Sequence, residues 1–409
     1  MNIPCIKCKG KNPANCGRTF CPIIAKNNAM FKIKDAVKED FQGGSPSVFV
    51  GRVGYPYLNV GILAPPGVSE SQEYDAPRLW SDKGYNIPKI VDYRSALVNS
   101  RFKCGVMESN KFLDISQEIG MSLKPVDVEV NLKERPGLRM DIGPNVTPMG
   151  PAGKLEKAKI TSNPGVDTRV DKVVSDTDLK STEAIRYLYN KSFDENFLSK
   201  LLSVGNLGVG SSRKLVPTRW SITAVDDNVG KMLISEVKDF SNKVNYTAYF
   251  GSYLGNYYVI MFFPEVWGYE LFESYMPEAS WNASYDLQFT TDYEPHTGRK
   301  TYAENCAGGY YTVRLAILEK LKQMKKQGSV LALRFITGEY AVPLGVWVTR
   351  EAGRKTLSGK GLEFGSKELM LKYCWALVKK KFGFDINNIL KHSIMIKNMK
   401  EQSKLSSFF

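Results

Sequence analysis

The chain has 409 residues, 43% of them hydrophobic and 24% charged, with 56 Lys and Arg against 42 Asp and Glu for a formal net charge of +14. That length exceeds what one hydrophobic core holds and suits two or three domains of an ordinary folded protein. Only two His are present, His296 and His392, which argues against His-rich metallohydrolase centres and Ser-His-Asp chemistry, and the longest apolar run, Tyr257 to Phe263, is too short to span a bilayer.

The chain opens Met-Asn-Ile-Pro-Cys with no apolar segment ahead of a cleavage site, so a cytoplasmic protein with reduced thiols is expected. Four of the seven Cys fall in the first 21 residues, as Cys5-x2-Cys8 and Cys16-x4-Cys21. Four thiolates at this spacing suit tetrahedral zinc better than an iron–sulfur cluster or disulfides, and a fully liganded ion is structural, not catalytic. Residues 1–26 carry five Lys or Arg and no carboxylate. Lys7, Lys9 and Arg18 therefore surround the expected zinc knuckle with positive charge suited to a nucleic-acid backbone.

A helix-like stretch runs from Phe31 to Phe41, and Ser47-Val-Phe-Val-Gly-Arg-Val reads as a strand between Gly43-Gly44 and Tyr55-Pro56. Residues 64–89, rich in Pro, Gly, Ser and charge, read as a long surface loop. Ile90 to Cys104 reads as helix, and Val126–Leu132 alternates as a half-buried strand should. Residues 133–169, with five Pro and five Gly, are expected to be loop. Ser181 to Leu202 reads as helix in two pieces breaking near Ser192.

Next comes the densest polar run away from the termini, Ser211-Ser-Arg-Lys-Leu-Val-Pro-Thr-Arg-Trp, preceded by Gly205 and Gly210. Gly205 and Gly210 have P-loop spacing, but Ser211 stands where the Lys belongs. Arg213, Lys214, Arg219 and Trp220 are the expected phosphate or DNA contacts, on a turn feeding a strand at Trp220–Val225. Asp226-Asp227 with Glu236 offers hard oxygen ligands for a divalent metal, the basis of an alternative as a metal-dependent nuclease, although Asp-Asp-Asn before Gly230 also suits a plain turn.

Tyr246–Phe250 and Tyr257–Phe263 form an expected hairpin around Gly251–Gly255. Trp267, Tyr269, Trp281 and Tyr285 suit either base stacking or core packing. Cys306 reads as a buried inert thiol, in preference to a thiolate paired with His296. Tyr310–Gln327 is amphipathic helix stopped at Gly328, followed by strands at Val330–Thr337 and Ala341–Thr349. Ser366 caps a helix through Lys381 that ends at Gly383. Residues 354–409 carry a net +8, so both ends of the chain are basic.

The last eight residues read Gln402-x-x-Leu405-x-x-Phe408-Phe409. One tight helical turn would put Leu405, Phe408 and Phe409 together as an apolar plug, with Gln402 free to hydrogen-bond a neighbouring pocket. The segment resembles the clamp-binding motif (PIP box) of proteins that ride the DNA sliding clamp, proliferating cell nuclear antigen (PCNA).

Taken together, the basic four-cysteine knuckle ending Cys-Gly-Arg-x-Phe-Cys-Pro, the segment Ser45-Pro-Ser-Val-Phe-Val-Gly-Arg-Val-Gly-Tyr-Pro56, the segment Pro217-Thr-Arg-Trp-Ser-Ile-Thr-Ala-Val-Asp-Asp227 and the terminal box resemble the archaeal Nre family of DNA repair proteins over essentially the whole chain. The resemblance implies an N-terminal region that includes the zinc motif, a smaller C-terminal domain beginning near residue 290 and recruitment to the sliding clamp; it supplies no catalytic residue. The expectation is a mixed α+β, multi-domain protein: a knuckle at 1–26, an α+β domain at 27–290, a second domain at 291–395 and a tail at 396–409. Its expected role is DNA repair, with DNA and the clamp as partners, zinc as cofactor and no membrane; an RNA-binding zinc protein is a further alternative.

Overall fold

The computed structural model describes residues 21–401 apart from 138–146, 242, 278, 280 and 283. The knuckle cysteines Cys5, Cys8 and Cys16, the cations Lys7, Lys9 and Arg18, and the terminal Gln402, Leu405, Phe408 and Phe409 lie outside the described residues. The protein is mixed α and β, as expected, in two compact units that divide between Val229 and Gly230, with Val342–Gly345 grouped with the first.

The first unit is built on strands β1 (Asp40–Ser45), β2 (Ser47–Val50), β3 (Tyr57–Ala64), β4 (Val98–Gly105), β5 (Val126–Leu132) and β6 (Ala152–Ile160), in the order β1-β5-β6-β4-β3-β2. All neighbours are antiparallel except β4 and β6. The edge strands β1 and β2 are separated in sequence by Pro46 alone. Ser45 and Ser47 can stand at most about 7 Å apart, so the sheet curls far enough to bring the end of β1 beside the start of β2. β1 is also tied to the segment that follows β3, with Gly44 N donating to Val68 O and Gly67 N donating to Gln42 O, both at 2.7 Å. A Cβ on Gly44 would stand 1.9 Å from Ser69 O, so this close approach requires a glycine there. Inside lie Val48, Val50, Leu58, Val60, Ile62, Phe102, Val128 and Val130, with Leu113 and Ile119 of the helix Lys111–Met121 in the same core.

The second unit holds strands β7 (Tyr246–Tyr253), β8 (Asn256–Phe263), β9 (Gly268–Tyr275), β10 (Gln288–Glu294), β11 (Ser329–Ile336) and β12 (Leu362–Phe364), ordered β10-β9-β11-β8-β7-β12. Every residue of β11 is buried, because both sheet faces are covered. Val259, Met261, Phe272, Leu331, Leu333 and Phe335 pack on Met370, Cys374 and Val378 of the helix Lys367–Phe382. On this face Glu270 accepts hydrogen bonds from Ile394 N (2.9 Å) and Met395 N (3.0 Å), capping the last helix, Ile394–Glu401. The opposite face buries charge. Glu294 accepts from Arg314 (2.7 Å), Tyr310 OH (3.0 Å) and Trp267 Nε1 (3.1 Å), and Arg334 bonds Glu273 and Asn256.

Several expected elements stand as read: the strands at Ser47–Val50 and Val126–Leu132, the broken helix Ser181–Asn190 and Glu195–Ser203, the hairpin of β7 and β8, the helix Ala307–Met324, the strand β11, and the helix capped by Ser366. Others are corrected. The first described helix is Pro22–Lys32, and Asp40–Ser45 is strand, with Gly43 and Gly44 inside it rather than bounding it. Residues 64–89 hold the helix Pro77–Asp82, whose Trp80 is fully buried and donates to Glu73 O at 2.6 Å. The helix expected through Cys104 stops at Ala96, and β4 follows, held by its pairing with β3. β6 runs through the expected 133–169 loop, pairing with β5 and β4. Trp347–Ser358 is helix where a strand to Thr349 was expected.

Candidate nucleic-acid interface

The expected strand at Trp220–Val225 is instead the start of a 21-residue helix, Thr218–Lys238. Ile222, Thr223 and Val225 favour strand locally, but Ser221, Val225, Val229, Leu233 and Val237 form a fully buried stripe at four-residue spacing. That stripe is a helical period, and its burial overrides the β-branched residues.

The start of this helix meets the β2–β3 connection, which is far away in sequence. Thr218 Oγ1 accepts from Val50 N at 2.9 Å, and the Trp220 ring stands 5.7 Å from that of Tyr55, tilted by 48°. Gly51 N donates to Asn59 O and Tyr57 N to Gly54 O, both at 2.8 Å, so the loop between them is a defined turn. Val106 N donates to Pro56 O (3.0 Å) and Leu215 N to Val106 O (2.9 Å), which draws residues 106–107 and 214–215 to the same place.

Two of the segments that carried the family resemblance, Ser45–Pro56 and Pro217–Asp227, are therefore neighbours in space. Together they expose a basic, aromatic surface. Trp220 is 46% exposed, Tyr55 51% and Tyr57 61%, and Val53 and Met107 are exposed as well. Arg52, Lys103, Lys214 and Arg219 are exposed around them. Lys103 lies opposite Asn59 on β4, flanked by the buried Phe102 and Cys104, so it shares the outer face with Tyr57. Glu108 is the nearby acid in sequence, and its carboxylate is turned onto Gly105 N at 2.8 Å.

Of the expected contacts, Lys214, Arg219 and Trp220 belong to this surface. Arg213 does not present its guanidinium in the same way, because Nε donates to Gly208 O (2.7 Å) and Nη2 to Asp176 O (2.9 Å). Burial lowers its pKa from the ordinary guanidinium value, and it acts here as a brace on two loops. Tyr55, Tyr57, Arg52 and Lys103 were not expected as site residues. The available signal was a Gly-rich turn carrying Arg and Tyr, which has no meaning for a site until its neighbour is known.

Most of the other candidates resolve as structure. Asp226 is buried within the helix Thr218–Lys238, so Asp226-Asp227 is not a turn. Among the described residues no three His, Cys, Asp or Glu side chains are grouped to hold a metal. Cys306 is buried, and burial pushes its thiol well above the usual range, as an inert thiol requires. Trp267 and Tyr269 are core residues, Trp281 packs on Tyr340 at 5.1 Å, and Tyr285 is 94% exposed. Cys21 is half-buried and free of any disulfide. Among the described residues no helix is long and apolar enough to cross a membrane.

Family models described as archaeal Nre, N-terminal, and archaeal Nre, C-terminal, match residues 15–282 and 294–408. This chain belongs to the archaeal Nre family. Among Nre relatives, it is 34% identical over 402 residues to the DNA repair protein NreB of Archaeoglobus fulgidus, covering 98% of this chain and 99% of that one. It is 36% identical over 371 residues to the DNA repair protein NreA of the same organism, covering 90% and 91%, and 34% identical over 340 residues to the DNA repair protein NreA of Haloferax volcanii, covering 80% and 81%. No solved structure matches. The Nre N-terminal match spans both halves of the basic aromatic surface.

Proposed function

We propose that this chain is a DNA repair factor that binds DNA through the Tyr55–Trp220 surface and is recruited to the sliding clamp by Gln402-x-x-Leu405-x-x-Phe408-Phe409. The observation that carries the DNA reading is the convergence of Arg52, Lys103, Lys214 and Arg219 around exposed aromatic rings. Cations neutralise phosphates and rings contact bases, the two components that nucleic-acid-binding surfaces combine. The names of the relatives, all DNA repair proteins, support the pathway. The clamp motif rests on its residue pattern, and a tether of this kind raises the local concentration of a weak DNA binder. A zinc ion on Cys5, Cys8, Cys16 and Cys21 is part of the same reading, resting on four thiolates with suitable spacing.

The direct test is binding of a labelled oligonucleotide by fluorescence anisotropy. R52Q/R219Q is expected to weaken binding at least tenfold at low salt while leaving the thermal midpoint unchanged, because both side chains are exposed. Unchanged affinity in the double variant would remove this surface from the DNA reading. For the tail, F408A/F409A is expected to abolish co-purification with the clamp without changing DNA affinity; retained clamp binding would sink the motif assignment.

A further inference from the structure

We infer that the nucleic acid taken by this surface is single-stranded DNA, whose bases stack on Trp220, Tyr55 and Tyr57 while its phosphates pass along Arg52, Lys103 and Arg219. The inference deepens the DNA reading of the same surface and rests on it. The aromatic rings are what distinguish the strand form. In a duplex the bases are already stacked on one another, and sequence is read at groove edges by hydrogen-bonding side chains. A ring that meets a duplex from outside finds sugar and phosphate, and gains little. An unpaired base offers a π face, and stacking on an indole or phenol removes apolar area from water on both partners.

The exposed rings are placed for this. Trp220 and Tyr55 contact each other at 5.7 Å and 48°, yet each leaves about half its surface open. Tyr57 follows two residues after Tyr55, on the outer face of β3, and Lys103 lies on the neighbouring strand of that face. Aromatic and cationic groups therefore share the outer face of β3 and β4 and the helix start beside it. Charge complementarity favours a polyanion over an apolar peptide, and the rings favour an unpaired one.

The experiment compares the full chain and its W220A, Y55A and W220F variants on a labelled dT oligonucleotide, a duplex of equal length and an rU oligonucleotide, across a salt series. The expected result is preference for dT over duplex by tenfold or more, a loss of about tenfold in W220A and in Y55A, and recovery in W220F. The salt slope should stay unchanged in W220A, since no phosphate contact is lost. Tryptophan quenching on dT addition should be smaller in W220F than in the wild type, a readout independent of affinity. Equal affinity for duplex and single strand, or W220A and Y55A binding like wild type, would overturn the single-strand inference and leave the charge-based DNA reading standing. A tenfold preference for rU over dT would overturn it in favour of RNA. Absence of binding to every probe at low salt would overturn the DNA reading and this inference together.

Discussion

A side chain's chemistry decides little until its neighbours are known, and Arg213 and Arg219 show it. They are six residues apart, and both stood out as cations behind a glycine-rich stretch. Arg213 spends its guanidinium on the carbonyls of Gly208 and Asp176, whereas Arg219 remains exposed beside Trp220. Glu73 is a second case. It accepts from Lys83, Tyr85 (2.7 Å) and Tyr93 (2.7 Å), and these bonds, that from Lys83 foremost, hold its carboxyl at about 2 against an ordinary 4.5. A carboxyl depressed by folding stabilises the native state fully above its unfolded pKa, and the contribution fades as pH falls through the folded value. The wild-type thermal midpoint should therefore drop between pH 4.5 and 2, and the drop should be shallower in E73Q. Parallel curves would show that the Lys83–Tyr85–Tyr93 cluster does not stabilise the ionised form.

At the scale of elements, periodicity was legible where an element carried its own complete pattern. Ser366 accepts from Leu369 N at 3.3 Å and Gly383 closes the same helix with φ of 70°, so both ends were visible from local chemistry. β4 and β6 were not legible, because many of their residues (Asn99, Lys103, Gly105, Gly153, Lys154, Glu156, Lys157) carry little strand propensity, and pairing with β3, β5 and each other supplies what it lacks. Close approach of elements is equally hidden. A Cβ on Gly309, in the helix Ala307–Met324, would stand 2.3 Å from Glu273 Oε1, whose carboxylate is committed to the buried Arg334. G309A should thus destabilise by about 2 kcal/mol, with overpacking outweighing the roughly 1 kcal/mol that Ala gains in helix propensity. The check is the denaturant midpoint at unchanged m-value; a stabilised variant would mean that the helix can shift at little cost.

Over the whole molecule, the net +14 predicts electrostatic, salt-sensitive association with a polyanion. Four cations on the surface at Trp220 imply a slope of about −3 in log affinity against log salt on single strands, at roughly −0.7 per phosphate. A slope near zero in an oligonucleotide titration would contradict a surface built on phosphate contacts. R52Q should reduce the magnitude of the slope by about 0.7, as loss of one phosphate contact requires.

The sequence by itself determined the mixed α and β composition, the basic balance, the helices with full caps and stripes, and the segments that mark the Nre family. Each of these is written in residues close together along the chain. Only the tertiary structure decided that β1 packs at Gly44 against the segment after β3, and that Thr218 meets Val50 across 168 residues. That last contact sets Arg52, Tyr55 and Tyr57 beside Arg219 and Trp220. Long-range contact has no local period to read, so a site shared between a strand connection and a distant helix start becomes visible only once the fold brings them together.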